Sequence, residues 1–223
     1  MVVSSHSEFP GTRRSTGYWV GEVSHFAEVV EAAGFELDVA SPRGGEPPID
    51  PKSVSGFQSL DGGHAAYQRN AELQRKLKAT LTPEQVDAEA YAAIFFAGGH
   101  GTMWDFPEHE RLGALAAQIY ERGNVVSAVC HGVTGLFGAK LSDGNYLVAG
   151  HAVTGFANIE ERLMGLGSKV PFLTESELRK RGARYERGLP FLSHVVVSGR
   201  LVTGQNPGST KGVAREVAAL LAH

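Results

Sequence analysis

A lone cysteine, Cys130, follows the apolar run Val125-Val126-Ser127-Ala128-Val129 and is followed at once by His131 and Gly132. The run reads as a buried strand that stops abruptly, and Val133 to Phe137 is compatible with a helix. That strand–turn–helix order is the setting of a nucleophile elbow, with the small residues Ala128 and Gly132 letting the turn close. A cysteine so placed sits at the carboxyl edge of a sheet and at a helix N-terminus, whose partial positive charge favours the thiolate. The expectation is an activated nucleophile with a pKa below the usual value of about 8.5. The alternative is a small buried hydrophobe, the commonest fate of a lone cysteine.

Ala97-Gly98-Gly99-His100-Gly101-Thr102 forms a second candidate, directly after the apolar run that begins at Ala93. Glycines at a strand end let the backbone turn and aim N–H groups at an anion or a developing oxyanion. Neither the dinucleotide nor the P-loop glycine spacing is met, which argues against a nucleotide site. A plain tight turn is the remaining alternative. His100, His151 and His194 read as structural, and His25 and His109 as helix residues without a special role. Tyr18, Trp19 and Trp104 read as core aromatics, of which the first two could also line a pocket.

These groups need a frame to hold them. Short apolar runs alternate with amphipathic stretches, the pattern of an α/β fold with a mostly parallel sheet sandwiched by helices. The expected strands are Val2-Val3, Phe35 to Ala40, Ala93 to Ala97, Val125 to Val129, and Val195 to Val197 with Leu201 to Thr203. Their apolar continuity predicts burial on both faces, and Val2-Val3 looks like the tail of a clipped strand. Glu22 to Ala33 is an amphipathic helix closed by Gly34, and the last helix spans about Thr210 to Leu221. Thr82-Pro83-Glu84-Gln85 and Thr174-Glu175-Ser176-Glu177 read as capping boxes opening helices, the second ended by Gly182. Ser41 to Asp61 is expected to be a long surface loop, and Asp143 to His151 a hairpin excursion around Asp143-Gly144.

At 223 residues the chain is expected to form one domain, 1–223, with loop insertions near 41–61 and 143–151. A formal net charge of -3 provides no global field to recruit nucleic acid or anionic lipid. The cluster Arg179, Lys180 and Arg181 ends an expected helix, where it complements the dipole. No stretch approaches the roughly 18 apolar residues of a membrane span, and Met1 to Pro10 lacks a signal-like apolar core. One cysteine forms no internal disulfide, which fits a reducing compartment, so the cytoplasm is expected.

Six segments, taken together, resemble the DJ-1/PfpI superfamily, which is glutamine amidotransferase-like. They are Gly17-Tyr18-Trp19-Val20-Gly21-Glu22, Ala40-Ser41-Pro42-Arg43-Gly44-Gly45, Gly98-Gly99-His100-Gly101-Thr102-Met103-Trp104-Asp105, Ala128-Val129-Cys130-His131-Gly132, Val153-Thr154-Gly155-Phe156, and Val202-Thr203-Gly204-Gln205-Asn206-Pro207. They run in order along nearly the whole chain and are most similar to the heat-shock protein 31-like branch, which includes glutathione-independent glyoxalases.

The resemblance implies a flavodoxin-like sheet with the nucleophile elbow after a central strand. It implies Cys130 as nucleophile, His131 beside it, Glu22 as proton shuttle against the thiol, and backbone N–H groups of Gly99 and His131 as the oxyanion hole. It also implies a carboxylate shortly after Thr154-Gly155-Phe156 to orient His131, with Glu161 favoured and Glu160 the alternative. By their residue types alone, Glu22 would cap its helix and Glu160, Glu161 and Arg162 would form a solvated face. Two departures stand out. Val133-Thr134 replaces the common Pro-Ala, with an expected effect on the pocket wall, and Gly21 replaces a bulkier residue. The implied activity is a glyoxalase III-type lyase, turning methylglyoxal or a similar small-molecule 2-oxoaldehyde into a 2-hydroxy acid without metal or organic cofactor, in a homodimer. A deglycase, a cysteine amidase or peptidase, and a holdase chaperone are the alternatives.

Overall fold

The computed structural model describes residues 1–55 and 61–222, so residues 56–60 of the expected surface loop lie outside the described residues. Along the chain come α1 (Val20–Ala32), α2 (Gly63–Arg69), α3 (Ala71–Lys78), β1 (Ala93–Phe96), α4 (Thr102–Asp105), α5 (Glu110–Glu121) and β2 (Val125–Val129). Then follow β3 (Ala152–Val153), α6 (Asn158–Leu163), α7 (Thr174–Lys180), β4 (Arg184–Tyr185), β5 (Val195–Ser198), β6 (Leu201–Gly204) and α8 (Thr210–Leu221).

The main sheet has the order β1-β2-β6-β5, parallel except for the β5–β6 pair. Val2 extends it past β1, pairing in parallel with Phe96 on one side and Ala40 on the other. The flavodoxin-like, mostly parallel arrangement therefore stands. The expected strand Phe35 to Ala40 does not form as such: within it only Ala40 makes β-bridges, to Val2 and Leu81.

Strand alternation divides the apolar residues between two layers. Ile94, Phe96, Val126, Ala128 and Leu201 face a core completed by Leu112, Leu115 and Ile119 of α5. Phe95, Val125, Val129 and Val202 face the other core, with Val23 and Phe26 of α1, Leu73 and Leu77 of α3, and Val213 and Val217 of α8. Phe26 stacks on Phe95 with ring centroids 3.7 Å apart, fixing α1 against β1. Strand β5 departs from two-sided burial: it is the edge, and Val197 is 44% exposed.

Helix starts depart from expectation at several places. The Thr82 box exists, with Gln85 Oε1 accepting the Thr82 N–H at 2.8 Å, but it heads only the 3-10 turn Pro83–Gln85. Thr174 is the first residue of α7 rather than its cap, Leu173 holds the cap position, and the Thr174 hydroxyl has no hydrogen-bond partner. Helix α1 begins at Val20, two residues before Glu22. His109 is the cap residue preceding α5 rather than part of it. The chain turns at Gly144 (φ 84°), where Lys140 pairs antiparallel with Tyr146, as a hairpin excursion requires. Arg179, Lys180 and Arg181 close α7 and are paired to Glu175 and Glu177.

Candidate active site

The carboxyl ends of β1, β2 and β6 point to one edge of the sheet, the usual place for a site in such folds. Val129 is extended, and Cys130 turns at once to φ 57°, a conformation rare for residues with a side chain. A 3-10 helix, Cys130–Leu136, follows, beginning three residues before the helix-compatible stretch Val133 to Phe137. Gly132 is required by sterics, since a Cβ there would lie 2.2 Å from the Phe96 carbonyl oxygen. Val133 packs in the core, touching Gly155, and does not line the cavity, so the expected change to the pocket wall does not arise.

Beside the elbow, the loop after β1 passes through Gly98 and Gly99. Gly99 has φ 106°, and a Cβ there would lie 2.3 Å from the Gly17 carbonyl oxygen. A Cβ on Gly98 would meet Glu22, Val129 and Cys130 together. The Gly98 carbonyl accepts the Trp19 N–H at 3.0 Å, which ties this loop to the start of α1. Thr102 Oγ1 lies within hydrogen-bond reach of the Gly99 and His131 carbonyl oxygens, at 2.9 and 3.0 Å.

Glu22 is fully buried and does not cap its own helix. Its Oε2 accepts the Gly98 N–H at 2.5 Å, its Oε1 has no donor, and the carboxyl lies against the Cys130 thiol. Burial pushes its pKa up to about 8, the Gly98 N–H and the thiol oppose the rise, and the charge of Asp61 adds to it. A Cβ on Gly21 would lie 2.7 Å from Asp61 Oδ2, and one on Gly63 of α2 would lie 2.4 Å from the Gly21 Cα, so both glycines serve the close approach of α2 to α1.

The Cys130 thiol is also raised, against the expectation of a lowered value. Burial is the main cause and the neighbouring Glu22 charge the second, with the His131 backbone N–H acting the other way. A seven-residue 3-10 helix gives little dipole to offset this. Two anions cannot share so dry a niche, so the pair always keeps at least one proton.

On the other side of the thiol, His131 Nδ1 lies 3.4 Å from Sγ, and His131 Nε2 lies 2.7 Å from Glu161 Oε2. An ionised carboxylate only accepts, so the proton sits on Nε2 and Nδ1 is free to receive the thiol proton. Glu161 Oε1 also takes His100 Nε2 at 2.9 Å. Burial opposes ionisation of Glu161, but the two rings hold its pKa well below the usual carboxylate range. His100 is lowered to about 4, mainly by burial and then by His131, and is neutral near pH 7. His100, His131 and Glu161 could in principle ligate a metal, yet their facing atoms are already hydrogen-bonded to one another.

The structure thus brings Glu22, Gly99, Cys130, His131 and Glu161 to one place. His100, read as structural from the sequence, belongs with them, and its position one residue after Gly99 is the signal that could have placed it there. Glu160 is not a surface residue: it is fully buried, accepting the N–H groups of Ala157 (2.9 Å) and Phe191 (2.7 Å) and the Asn206 side chain (2.9 Å). His151 sits between Tyr120 and Ser198, away from the site. Above the thiol opens a cavity of about 660 Å³ whose lining includes Trp19, Asp61, Phe156, Met164, Phe191 and Asn206. Tyr18 and Trp104 do not line it. Tyr18 is in the core, and Trp104 stacks on His6.

Comparison with known proteins places this geometry in context. A model of the DJ-1/PfpI family matches residues 17–220. The chain is 32% identical to the glutathione-independent glyoxalase HSP31 of Saccharomyces cerevisiae, over 96% of this chain and 92% of that protein. It is similar to the structure of the Rapid Encystment Protein 24 kDa of Francisella tularensis, with a TM-score of 0.93 and 34% identity, covering 99% of this chain and 97% of that one. Glyoxalase III from Candida albicans superposes with a TM-score of 0.84 at 30% identity, covering 98% of this chain and 95% of that one.

Proposed function

The chain belongs to the DJ-1/PfpI family, and from that premise we propose that it is a glutathione-independent glyoxalase. The reaction is addition of water across a 2-oxoaldehyde by internal proton transfer, giving a 2-hydroxy acid; from methylglyoxal the product is lactate, taken as the D form.

The observation that carries this reading is Glu22. A buried carboxyl against the thiol, with its pKa raised to about 8, both takes and returns a proton near neutral pH. Simple hydrolysis needs a base for water, whereas glyoxalase chemistry needs one to carry a proton between adjacent carbons.

In this mechanism, ionised Glu22 takes the S–H proton as sulfur bonds to the aldehyde carbon. The carbonyl electron pair moves onto oxygen, beside the N–H groups of Gly99 and His131, and Glu22 protonates it, completing the hemithioacetal. Glu22, ionised again, removes the C1 hydrogen, and the electron pair forms the enediolate. Glu22 returns the proton to C2 while the C1 hydroxyl proton passes to the C2 oxygen, giving the 2-hydroxy thioester. His131, oriented by Glu161, activates water to cleave the thioester and returns the thiol. Atoms and electrons balance with water as the only co-reactant.

Two further features support the reading. The side chains lining the cavity include no Lys or Arg among the described residues, so nothing there matches the carboxylates of glutathione. No described helix is long and apolar enough to cross a membrane, and the lone cysteine suits the reducing cytoplasm, where a homodimer would work. The test is incubation of purified protein with methylglyoxal and no thiol additive, following aldehyde loss and lactate formation by chiral chromatography. Aldehyde loss without lactate would favour the deglycase alternative, and no loss at all would end the glyoxalase reading.

A further inference from the structure

Two non-glycine residues among the described ones have positive φ, Cys130 at 57° and Phe191 at 60°, and both line the same cavity. Strain of this kind persists only where surrounding structure enforces it, and it concentrates at functional positions. For Cys130 the elbow explains it. Phe191 carries no chemistry, so its conformation must serve to place the ring.

The enforcing contacts are specific. The fully buried Glu160 accepts the Phe191 N–H at 2.7 Å and the Asn206 side-chain N–H at 2.9 Å on the same oxygen. Asn206 in turn donates to the Leu192 carbonyl at 2.8 Å, and the Gln205 side chain reaches the Leu189 carbonyl at 3.4 Å. The segment 189–192 is therefore pinned from beneath while its apolar side chains stay out: Phe191 is 51% exposed and Leu192 57%. An aromatic ring held half in water at the rim of a cavity is an unfilled contact.

The cavity is larger than a three-carbon aldehyde fills. Its volume of about 660 Å³ falls within the roughly 300–1,000 Å³ that suits drug-sized ligands. Away from the thiol and the two histidines its walls are mainly Trp19, Phe156, Met164, Phe191 and Pro207, with Asn206 and the carboxylate of Asp61 as the polar side chains among them. Such walls desolvate an apolar group and repel an anion.

We propose that this cavity selects uncharged 2-oxoaldehydes bearing a bulky apolar, preferably aromatic, substituent, with Phe191 determining that specificity and Glu160 positioning it. The inference rests on the glyoxalase reading and adds the substrate class to it.

The experiment compares kcat and KM for phenylglyoxal and methylglyoxal in the wild type, Phe191→Ala, Glu160→Ala and Glu160→Gln. The wild type should favour phenylglyoxal in kcat/KM by at least about tenfold, the scale at which pocket contacts discriminate. Phe191→Ala should shrink that ratio about tenfold, through the phenylglyoxal KM rather than kcat. Glu160→Ala should raise the same KM, and Glu160→Gln, which keeps an acceptor oxygen, should restore part of the loss. A preference for methylglyoxal, or an unchanged ratio in Phe191→Ala, overturns the inference while leaving the glyoxalase reading standing. If neither aldehyde is turned over, that reading fails and the cavity is judged by calorimetric binding of acetophenone, an unreactive aromatic ketone. Binding that Phe191→Ala weakens about tenfold would sustain the selectivity, and no binding to wild type would sink it.

Discussion

Glu160 and Glu161 are consecutive on α6, yet their carboxylates hold different parts of one cavity. Glu161 bridges the rings of His131 and His100 at 2.7 and 2.9 Å, while Glu160 binds the backbone of Phe191 and the side chain of Asn206. Consecutive side chains on a helix diverge by about 100°, so one short helix can serve both partners only if it is buried on two sides. Both residues are indeed buried, at 0% and 3% exposure, so neither can be treated as a surface position.

Replacing the nucleophile tests the chemistry directly. Cys130→Ser should keep the fold, because the hydroxyl is smaller and has hydrogen-bonding neighbours in Glu22 and His131. Turnover of methylglyoxal should fall by at least about a thousandfold, as a serine hydroxyl stays protonated there. Circular dichroism would establish the fold, and a serine variant with wild-type turnover would disprove the assignment.

Glu161→Gln asks what orientation is worth. A glutamine offers one acceptor oxygen where two ring N–H groups need acceptors, so one histidine must change tautomer or lose its bond. The stability cost should be about 1–3 kcal/mol in urea unfolding, the penalty for leaving a buried donor unpaired. The rate should drop on the order of a hundredfold, less than for Cys130→Ser, because the base survives in a poorer tautomer. Wild-type activity in this variant would leave Cys130 and Glu22 to work as a pair.

What could be read from the sequence followed from locality. Strand β2 matches its expected bounds, Val125 to Val129, because its β-branched, apolar-rich run is short and is bounded by Asn124 and by Cys130-His131-Gly132. The excursion at Asp143-Gly144 was equally legible, since its turn chemistry lies within four residues. Phe35 to Ala40 looked like a strand by composition, but a strand needs bridging partners along its length, and only Ala40 makes β-bridges. The place of His100 next to Gly99 was a local hint, but its partner Glu161, like the partners Phe191 and Asn206 of Glu160, lies far along the chain, where no local pattern reaches. The thiol expectation failed for the same reason. A helix dipole is a local argument, whereas burial against Glu22 is a tertiary one.

Gly99→Ala probes the loop that faces the thiol. Alanine at φ 106° is strained, and its Cβ would press on the Gly17 carbonyl at 2.3 Å, which is backbone and cannot turn aside. The variant should lose at least about 2 kcal/mol of stability and show lower kcat, since its N–H must shift from the developing oxyanion. Alanine at Gly11, where φ is 75° and nothing lies within 4 Å, is the control: it carries the strain without the collision. Equal losses in stability and rate at both sites would remove the special role of Gly99.

Glu22→Gln should separate stability from activity, with a sign set by burial. The carboxyl is raised from 4.5 to about 8, so between those values the folded chain keeps a proton that the unfolded chain has lost. Folding then takes up a proton, and stability contributed by this group declines as pH rises through that window. The penalty is absent below pH 4.5, complete above about 8, and grows by up to about 1.4 kcal/mol per pH unit between them. Glutamine does not titrate and can still accept the Gly98 N–H, so the variant should gain on the wild type as pH increases and level off above about 8. Activity should run the opposite way: wild-type kcat/KM rises with pH toward about 8 as Glu22 becomes a base, and the variant loses both the rise and the turnover. Urea titrations and rate profiles at matched pH would show both trends. A stability difference between variant and wild type that did not change with pH, or a variant that retained the rising limb, would mean that Glu22 does not hold the proton assigned to it.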